Sequence, residues 1–195
     1  MTHFYILDAE RRVVLRVHQP DVHGDIIDRT TTLQAEETGT ETQGIELGPL
    51  GTLTLRAVKP WLQDGRLIGH LELGEEIDHV SQQIHEALGV DLLVLVHRRF
   101  LAPEGQPEAG GVSDSPLIIS NTLGDLPPAV AARLEEARHA DGRAEQSSDG
   151  GRSLYTALLP LRDAAGREIG DILVVRDVTA LQAGVHRSLA TAALL

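Results

Sequence analysis

The chain has 195 residues, of which 29 are acidic and 17 are basic, so its formal net charge is −12. Nucleic acids and anionic lipids bind clusters of lysine and arginine, and this charge argues against both as partners. The absence of cysteine excludes thiolate catalysis, cysteine-based zinc sites and disulfides. The sequence also shows no secretory signal and no run of about 20 apolar residues that could span a membrane.

The first part of the chain predicts two strands and then a helical segment. Residues 3–8 (HFYILD) and 13–19 (VVLRVHQ) are rich in β-branched and aromatic side chains and flank a polar turn. Residues 24–39 predict short helical turns that end at Gly39. The side chains of these turns that we expect to face a core are Ile26, Ile27 and Leu33.

Three further strands and a helix complete this half. The strands are predicted at residues 43–48 (QGIELG), 51–61 (GTLTLRAVKPW) and 65–74 (GRLIGHLELG). Asp64-Gly65 is a strong hairpin signal because glycine accepts positive φ. The helix is predicted in the segment before Gly89, where apolar side chains recur at helical spacing: Ile77, Val80, Ile84 and Leu88.

The second half restarts the pattern. It begins with a predicted buried strand and turn in residues 90–102 and a Gly/Pro/Ser loop in 103–116. A short strand in 117–122 and a helix in 126–140 follow. The remaining predicted elements are a loop with room for a short strand in 140–153, a hairpin in 154–163 and 167–179, and a last helix in 180–195.

Two nearly identical stretches indicate that the chain contains a duplicated module. GRLIG begins at Gly65 and GREIG at Gly166, and each follows a strand that reaches a proline, Pro60 or Pro160. Each half also opens with an apolar strand and an Arg-Arg turn. Because order and spacing agree as well as residue identity, we predict two copies of one α/β module.

An antiparallel sheet with helices on it and a closing hairpin is a PAS-like module, and two in tandem resemble the double Cache sensor domains. The resemblance is carried by HFYILD, LRVHQP, GDIID, GIELGPLGTLTLRAVKPW and GRLIGHLELGEEI in the first half and PLRDAAGREIGDILVVRDVT in the second. It implies an α+β fold of two tandem Cache modules. Residues 1–88 would form the membrane-distal module with a connecting helix, and residues 89–195 the membrane-proximal module with a C-terminal helix.

The resemblance also implies what precedes the first strand. Such domains usually begin with a long helix that packs along both modules and supports dimerisation. Here the first predicted strand starts by residue 3, so we expect that helix to be missing from this chain. Its absence would put the native dimer in doubt and would leave an apolar sheet face uncovered.

The resemblance implies a sensory function. The chain would be the periplasmic, extracytoplasmic signal-input domain of an inner-membrane bacterial chemoreceptor or sensor kinase, with a small-molecule ligand in its first module. No cofactor and no nucleic acid is expected, a homodimer would form in the full-length receptor, and the membrane would be reached only through segments outside this sequence. Two alternatives stay open: a protein-interaction or structural module without a small-molecule pocket, and a cytoplasmic tandem PAS regulator.

Strand alternation groups polar side chains of the first half on one sheet face. The candidate ligand-binding residues are Arg16, His18, Arg29, Arg56, Trp61, His70 and Glu72. If this face is exposed to solvent, its charges merely pair across strands. If residues 24–34 cross over it, an arginine clamps a ligand carboxylate and Trp61 forms an apolar wall. Glu72 or Asp25 then receives a ligand ammonium or holds an arginine in place.

The sequence offers no support for an enzyme or a metal site. It contains no GxSxG, no HExxH and no phosphate-binding glycine loop, and His79 and His85 do not share a helix face well. We therefore expect no catalytic residue and no metal ligand. When the two copies are aligned, His70 and Glu72 correspond to Asp171 and Leu173, so the polar pair occurs only in the first module.

Overall fold

The computed structural model of the protein describes residues 2–48, 51–101, 116–136 and 142–184. The strands in these ranges are β1 (His3–Asp8), β2 (Val13–Arg16), β3 (Thr42–Leu47), β4 (Leu53–Gln63), β5 (Arg66–Glu76), β6 (Asp91–Val96), β7 (Leu117–Asn121), β8 (Ala144–Asp149), β9 (Arg152–Arg162) and β10 (Glu168–Asp177). The helices are α1 (Thr30–Thr38), α2 (Ile77–Leu88) and α3 (Pro128–Glu136), a short 3-10 turn covers Arg98–Phe100, and residues 179–184 are helical.

The strands form two antiparallel sheets that share one topology. The first has the order β2-β1-β5-β4-β3 and the second the order β7-β6-β10-β9-β8, which is the same order five strands later. The predicted α+β fold of two tandem PAS-like modules is therefore confirmed. The chain divides into two compact units, the first formed mainly by Met1–Val80 and the second mainly by the later residues. The boundary that we predicted after residue 88 falls at the end of α2 and stays a prediction.

The duplicated GR-x-IG stretch is the closing hairpin of each sheet. Asp64 and Gly65 both have positive φ, 52° and 78°, and join β4 to β5. Gly166 has the same φ of 78° in the turn between β9 and β10. Positive φ costs glycine nothing because it has no Cβ, which explains why both copies keep the residue at this point.

Helix α1 buries threonines where we expected aliphatic side chains. Ile27 is buried as predicted, and Gly39 ends the helix with φ of 64° and an N–H donated to the Ala35 carbonyl. The prediction was wrong for Ile26 and Leu33, which are exposed. The buried positions of the helix are Thr31, Thr32 and Ala35. The sheet beneath α1 is itself polar, so hydroxyl groups on this face find partners that isoleucine or leucine would not use.

The other predicted elements agree with the structure except in detail. In α2 the buried face begins at Ile77, but Leu88 is exposed, so the predicted apolar stripe is one position too long. Strand β2 ends at Arg16, before the predicted limit, and β8 fills the segment expected to be mostly loop. Most of the predicted loop 103–116 and the last helix beyond residue 184 lie outside the described residues.

The two sheets have different cores on corresponding strands. In the second unit the core is a cluster of aliphatic side chains from β6, β9, β10 and α3: Leu93, Val130, Leu154, Leu158, Leu173 and Val175. In the first unit Tyr5, Leu7, Val13 and Ile27 form a smaller buried apolar cluster. The covered face of the first sheet also buries Val58, but it carries the buried polar side chains Thr54, Arg56, His70 and Glu72 beside it. On the opposite face, Leu55 and Leu73 remain partly exposed.

Candidate functional site

Glu72 is the centre of the polar face of the first sheet. It alternates along β5 with Leu71 and Leu73, so it points to the face that α1 covers, and it is fully buried. One carboxylate oxygen, Oε1, accepts hydrogen bonds from Nη1 of Arg56 at 2.7 Å and Nη1 of Arg29 at 2.5 Å. The other, Oε2, accepts the hydroxyl of Thr32 at 3.1 Å. The prediction that this carboxylate holds an arginine in place therefore matches its contacts.

A second carboxylate, Glu46 on β3, extends the arrangement. Its Oε2 lies 3.3 Å from Nε of Arg56. Its Oε1 accepts the backbone N–H of Thr31 at 2.8 Å and the Thr31 hydroxyl at 3.0 Å. A carboxylate at a helix start compensates both a free N–H group and the helix dipole. We call Arg29, Glu46, Arg56 and Glu72 the buried charge cluster.

Arg29 joins the cluster from the start of α1. It occupies the N-cap position with extended backbone, and its side chain makes no capping hydrogen bond. Its guanidinium instead reaches down to Glu72, while its side chain stays 27% exposed. Arg56 is only 9% exposed, so Arg29 is the member of the cluster that a solute would meet first.

Arg16 and Asp25 form a second pair beside the cluster. Nη1 and Nη2 of Arg16 donate to the two carboxylate oxygens of Asp25 at 2.8 and 2.6 Å, and Nη1 also donates to the Val22 carbonyl. Hydrogen bonding from Arg16 lowers the pKa of Asp25 below its ordinary value. The pair ties β2 to the segment that leads into α1.

The Tyr5 ring connects the two arginine groups. The guanidinium carbons of Arg16 and Arg29 lie 5.2 and 5.0 Å from its centroid, within the range of cation–π attraction. The His18 ring meets the Tyr5 ring edge-on at 5.1 Å, although His18 lies beyond the end of β2. The ring is therefore in contact with Arg16, His18 and Arg29, and Arg29 in turn contacts Glu72. These are four of the seven predicted residues.

His3, which the sequence interpretation did not select, lies against the same group of rings. Its ring centroid is 4.8 Å from that of His18. Burial lowers the pKa of His3 below 6.5, and the Arg56 guanidinium lowers it further. The smaller effects come from His18 and Arg29, which lower the pKa, and from Glu76, which raises it.

We therefore expect the first unit to lose stability as the pH falls below 6.5. Since the pKa of His3 is lower in the folded than in the unfolded chain, its contribution is complete above the unfolded value of 6.5 and is lost as the pH falls through the folded value. Urea unfolding followed by Trp61 fluorescence at about pH 7 and about pH 5 measures this. His3→Gln should reduce the difference, and the exposed His23→Gln should leave it unchanged; equal losses in both variants would contradict the assignment.

The structure places the remaining predicted residues differently. His70 is fully buried opposite Leu7 and Pro60, and neither ring nitrogen has a hydrogen-bond partner among the described residues. Trp61 is 46% exposed and has the opposite strand parity to Arg56, so it lies on the other face of β4. Trp61 is therefore not brought together with the others.

Sequence reasoning missed Thr31, Thr32, Glu46 and Tyr5. A run of three threonines in a segment expected to be helical was an available signal, because threonine is a poor helix former unless its hydroxyl is used. Glu46 alternates with Ile45 and Leu47 in the predicted strand, which was the available signal, and the structure pairs it with Thr54 on the strand that carries Arg56. Among the described residues no group of three or more His, Cys, Asp or Glu has the geometry to hold a metal ion.

The two sheets carry different kinds of side chain at corresponding core positions. Pro60 and Pro160 align β4 with β9, and the paired registers align Glu72 with Leu173 and Tyr5 with Leu93. The positions of Thr54, Arg56 and Glu72 are therefore taken by Leu154, Thr156 and Leu173 in the second unit. The fold does not need charge at these places.

Comparison with protein families identifies the chain. A family described as the double sensory domain of two-component sensor kinases matches residues 1–182. The chain belongs to this double Cache family. The family is defined by a sensory role, so the described arrangement belongs to a sensor domain, and its description names no catalytic activity.

Three solved structures with similar folds are distant in sequence from this double Cache chain. An extracellular ligand-binding receptor of Desulfohalobium retbaense is 14% identical with a TM-score of 0.43, over 89% of this chain and 30% of that one. The ligand-binding domain of the Pseudomonas fluorescens chemoreceptor CtaA, solved with L-serine, is 15% identical with a TM-score of 0.43, over 90% and 72%. The sensor domain of the Vibrio cholerae histidine kinase DctB is 10% identical with a TM-score of 0.44, over 90% and 71%.

No curated protein matches the chain. In the part of the chain that the structure describes, no helix combines the length and hydropathy that crossing a bilayer requires.

Proposed function

We propose that the chain is the extracytoplasmic signal-input domain of a transmembrane bacterial receptor, and that its first module binds a small ligand bearing a carboxylate. The ligand would interact with the arginines of the buried charge cluster. Binding would favour one arrangement of the first module over another, and this difference in affinity would be the signal.

The observation that carries this proposal is the contrast between the two cores. Burying charged groups costs desolvation energy, and an aliphatic core of similar volume is as stable or more stable. The second unit has leucine at two of the three aligned positions and the uncharged Thr156 at the third, whereas the first unit keeps Glu72 and Arg56 buried. A costly arrangement that the fold does not require is expected where it serves binding.

The chemistry of the arginines favours a carboxylate. A guanidinium has five N–H donors in a planar fork that matches carboxylate geometry. The contacts of Arg29 with Glu72 use Nη1, and its partly exposed side chain leaves donors for a second acceptor. The Tyr5 ring beneath it holds the guanidinium in orientation.

A thermal-shift screen of the full chain with small carboxylates, amino acids and amines tests the proposal. A ligand at about 100 times its Kd adds about 2.7 kcal/mol, which is about 5–10 °C in Tm for a chain of this size. Arg29→Ala should abolish the ligand-induced shift because it removes the guanidinium that the ligand meets first, and this 27% exposed side chain can be removed without opening the core. Arg162→Ala, at an exposed ion pair with Glu168 across the turn between β9 and β10, is the matched control and should keep the shift.

The runner-up is a protein-interaction module. The partly exposed apolar side chains Leu55 and Leu73 on the uncovered face of the first sheet favour it. Absence of a Tm shift with every solute of the screen would contradict the small-ligand proposal and leave this second one. A shift that survives Arg29→Ala unchanged would contradict the placement of the ligand at the buried charge cluster.

A further inference from the structure

We infer that Glu72 is an internal occupant of the ligand site: its carboxylate takes the place on Arg29 and Arg56 that a ligand carboxylate takes, and binding displaces it. The inference rests on the proposed function and adds to it how the site is filled before a ligand arrives. It assigns to Glu72 the role of a competitor, where the sequence interpretation expected a ligand contact or a support.

The donors around Glu72 form a receptor for one carboxylate. Two guanidinium groups converge on one oxygen, at 2.5 Å from Arg29 and 2.7 Å from Arg56, and the hydroxyl of Thr32 donates to the other oxygen at 3.1 Å. Charge-assisted contacts of this kind are the strong hydrogen bonds of proteins. Because the Glu72 side chain is fully buried, it fills this receptor from the sheet side.

The donors come from two different elements. Arg56 belongs to β4, whereas Arg29 is the N-cap residue of α1 and Thr32 lies in its first turn. Glu72 therefore fastens the start of α1 to the sheet. A ligand carboxylate that takes over the two arginines removes Glu72 from Arg29, and the attachments that stay include those of Thr31 to Glu46 and to the Thr42 hydroxyl. Bound and unbound states thus differ in how α1 is held.

The site opens on the side of Arg29. Its side chain is 27% exposed, compared with 9% for Arg56 and none for Glu72. An anion arriving from solvent meets Arg29 first and competes there with the internal carboxylate. Glu72 therefore lowers the affinity of the site for a ligand: the more tightly its carboxylate binds the arginines, the more weakly the ligand binds.

Chemical rescue of Glu72→Ala with acetate tests the inference without a known ligand. The substitution removes one CH₂–COO⁻ unit, and acetate supplies a methyl group and a carboxylate of the same size. We expect acetate at about 100 times its Kd to raise the Tm of this variant by about 5 °C or more, with a rise that follows the logarithm of the acetate concentration. Acetamide has the same shape without the charge and should give no such rise.

Two controls separate rescue from a general salt effect. Wild-type protein, with the receptor occupied, should respond to acetate no more than to chloride. Glu168→Ala removes a glutamate from an exposed ion pair with Arg162 and should likewise show no rescue. Absence of rescue, or equal rescue by acetamide, would overturn the inference.

A second variant keeps the test decisive if Glu72→Ala does not fold. Glu72→Gln preserves volume and one acceptor but loses the charge that holds Arg29. We expect the amides of α1 to exchange with solvent at least about tenfold faster than in wild type, and those of β6 and β9 to be unchanged. Wild-type exchange rates in α1 would overturn the proposed attachment.

The outcomes distinguish this inference from the proposed function. If the ligand screen succeeds but acetate does not rescue Glu72→Ala, the site binds ligand without displacing Glu72 and the inference fails alone. If acetate rescues the variant while no solute stabilises wild type, the receptor chemistry stands and the sensory ligand is what fails.

Discussion

Gly69→Ala and Gly170→Ala are each expected to destabilise the protein by about 3 kcal/mol or more. Both glycines belong to the duplicated GR-x-IG stretch. A Cβ at Gly69 would lie 2.1 Å from the carbonyl oxygen of Leu7, and one at Gly170 would lie 1.9 Å from that of Leu95. Non-bonded carbon and oxygen atoms cannot approach so closely, so the neighbouring strand would have to move and lose ladder hydrogen bonds.

Urea unfolding measures both effects. Trp61 is the single tryptophan and belongs to the first unit, so its fluorescence reports Gly69→Ala, and far-UV circular dichroism reports Gly170→Ala. Gly184→Ala is the control, because a Cβ there meets nothing within 4 Å and alanine favours a helix. A Gly69→Ala variant as stable as wild type would show that the close approach of β1 is not what keeps this residue small.

The repeat could be predicted from the sequence because each backbone constraint requires a particular residue at a single position. Gly65 and Gly166 need positive φ, and Gly69 and Gly170 need the absence of a Cβ, so both hairpins carry the same letters. Hydrophobic alternation then placed the long strands of each half. These signals are local, and the duplicated fold follows from them without knowledge of tertiary contacts.

The composition of the site was harder to predict than its location. Alternation correctly grouped Arg56 and Glu72 but could not tell whether their face was exposed, since a polar strand face is normally solvated. What buries it is α1, whose inward residues are Thr31 and Thr32. A rule that places apolar residues inward selects Leu33 instead, which is exposed. The rule fails here because the face beneath the helix is charged.

Trp61 illustrates a second limit. It was chosen as an apolar wall because an aromatic side chain near polar groups is noteworthy in a chain with 3% aromatics. Strand parity was already decisive: Trp61 is an odd number of residues from Arg56, so the two side chains point to opposite faces of β4. A residue type that suits ligand binding still lies on the face of the strand that the alternation of side chains assigns to it.

The last prediction replaces polar core residues of the first sheet with their counterparts in the second. It tests whether the charged side chains serve the stability of the fold or ligand binding. Glu72→Leu alone should destabilise the first unit by about 3–5 kcal/mol, because it leaves the buried Arg56 and its neighbour Arg29 without their shared carboxylate. The loss would come from the missing carboxylate contacts and not from a cavity, since leucine fills similar volume, and Arg56 keeps its 3.3 Å contact with Glu46.

Transfer of the second unit's residues should repair part of that loss. In the triple variant Thr54→Leu, Arg56→Thr, Glu72→Leu, the first sheet carries the side chains found at Leu154, Thr156 and Leu173. We expect part of the lost stability to return in urea unfolding followed by Trp61 fluorescence, because uncharged side chains replace the Arg56–Glu72 ion pair, while Glu46 keeps its hydrogen bonds from Thr31.

The same triple variant should fail to respond to any ligand that stabilises wild type. Arg29 can turn toward solvent, but it has lost Arg56, the second donor that the proposed site needs. If the triple variant stays as unstable as Glu72→Leu, the charged side chains are needed for the fold itself. The contrast between the two cores would then no longer point to a ligand, and the basis of the proposed function would be removed.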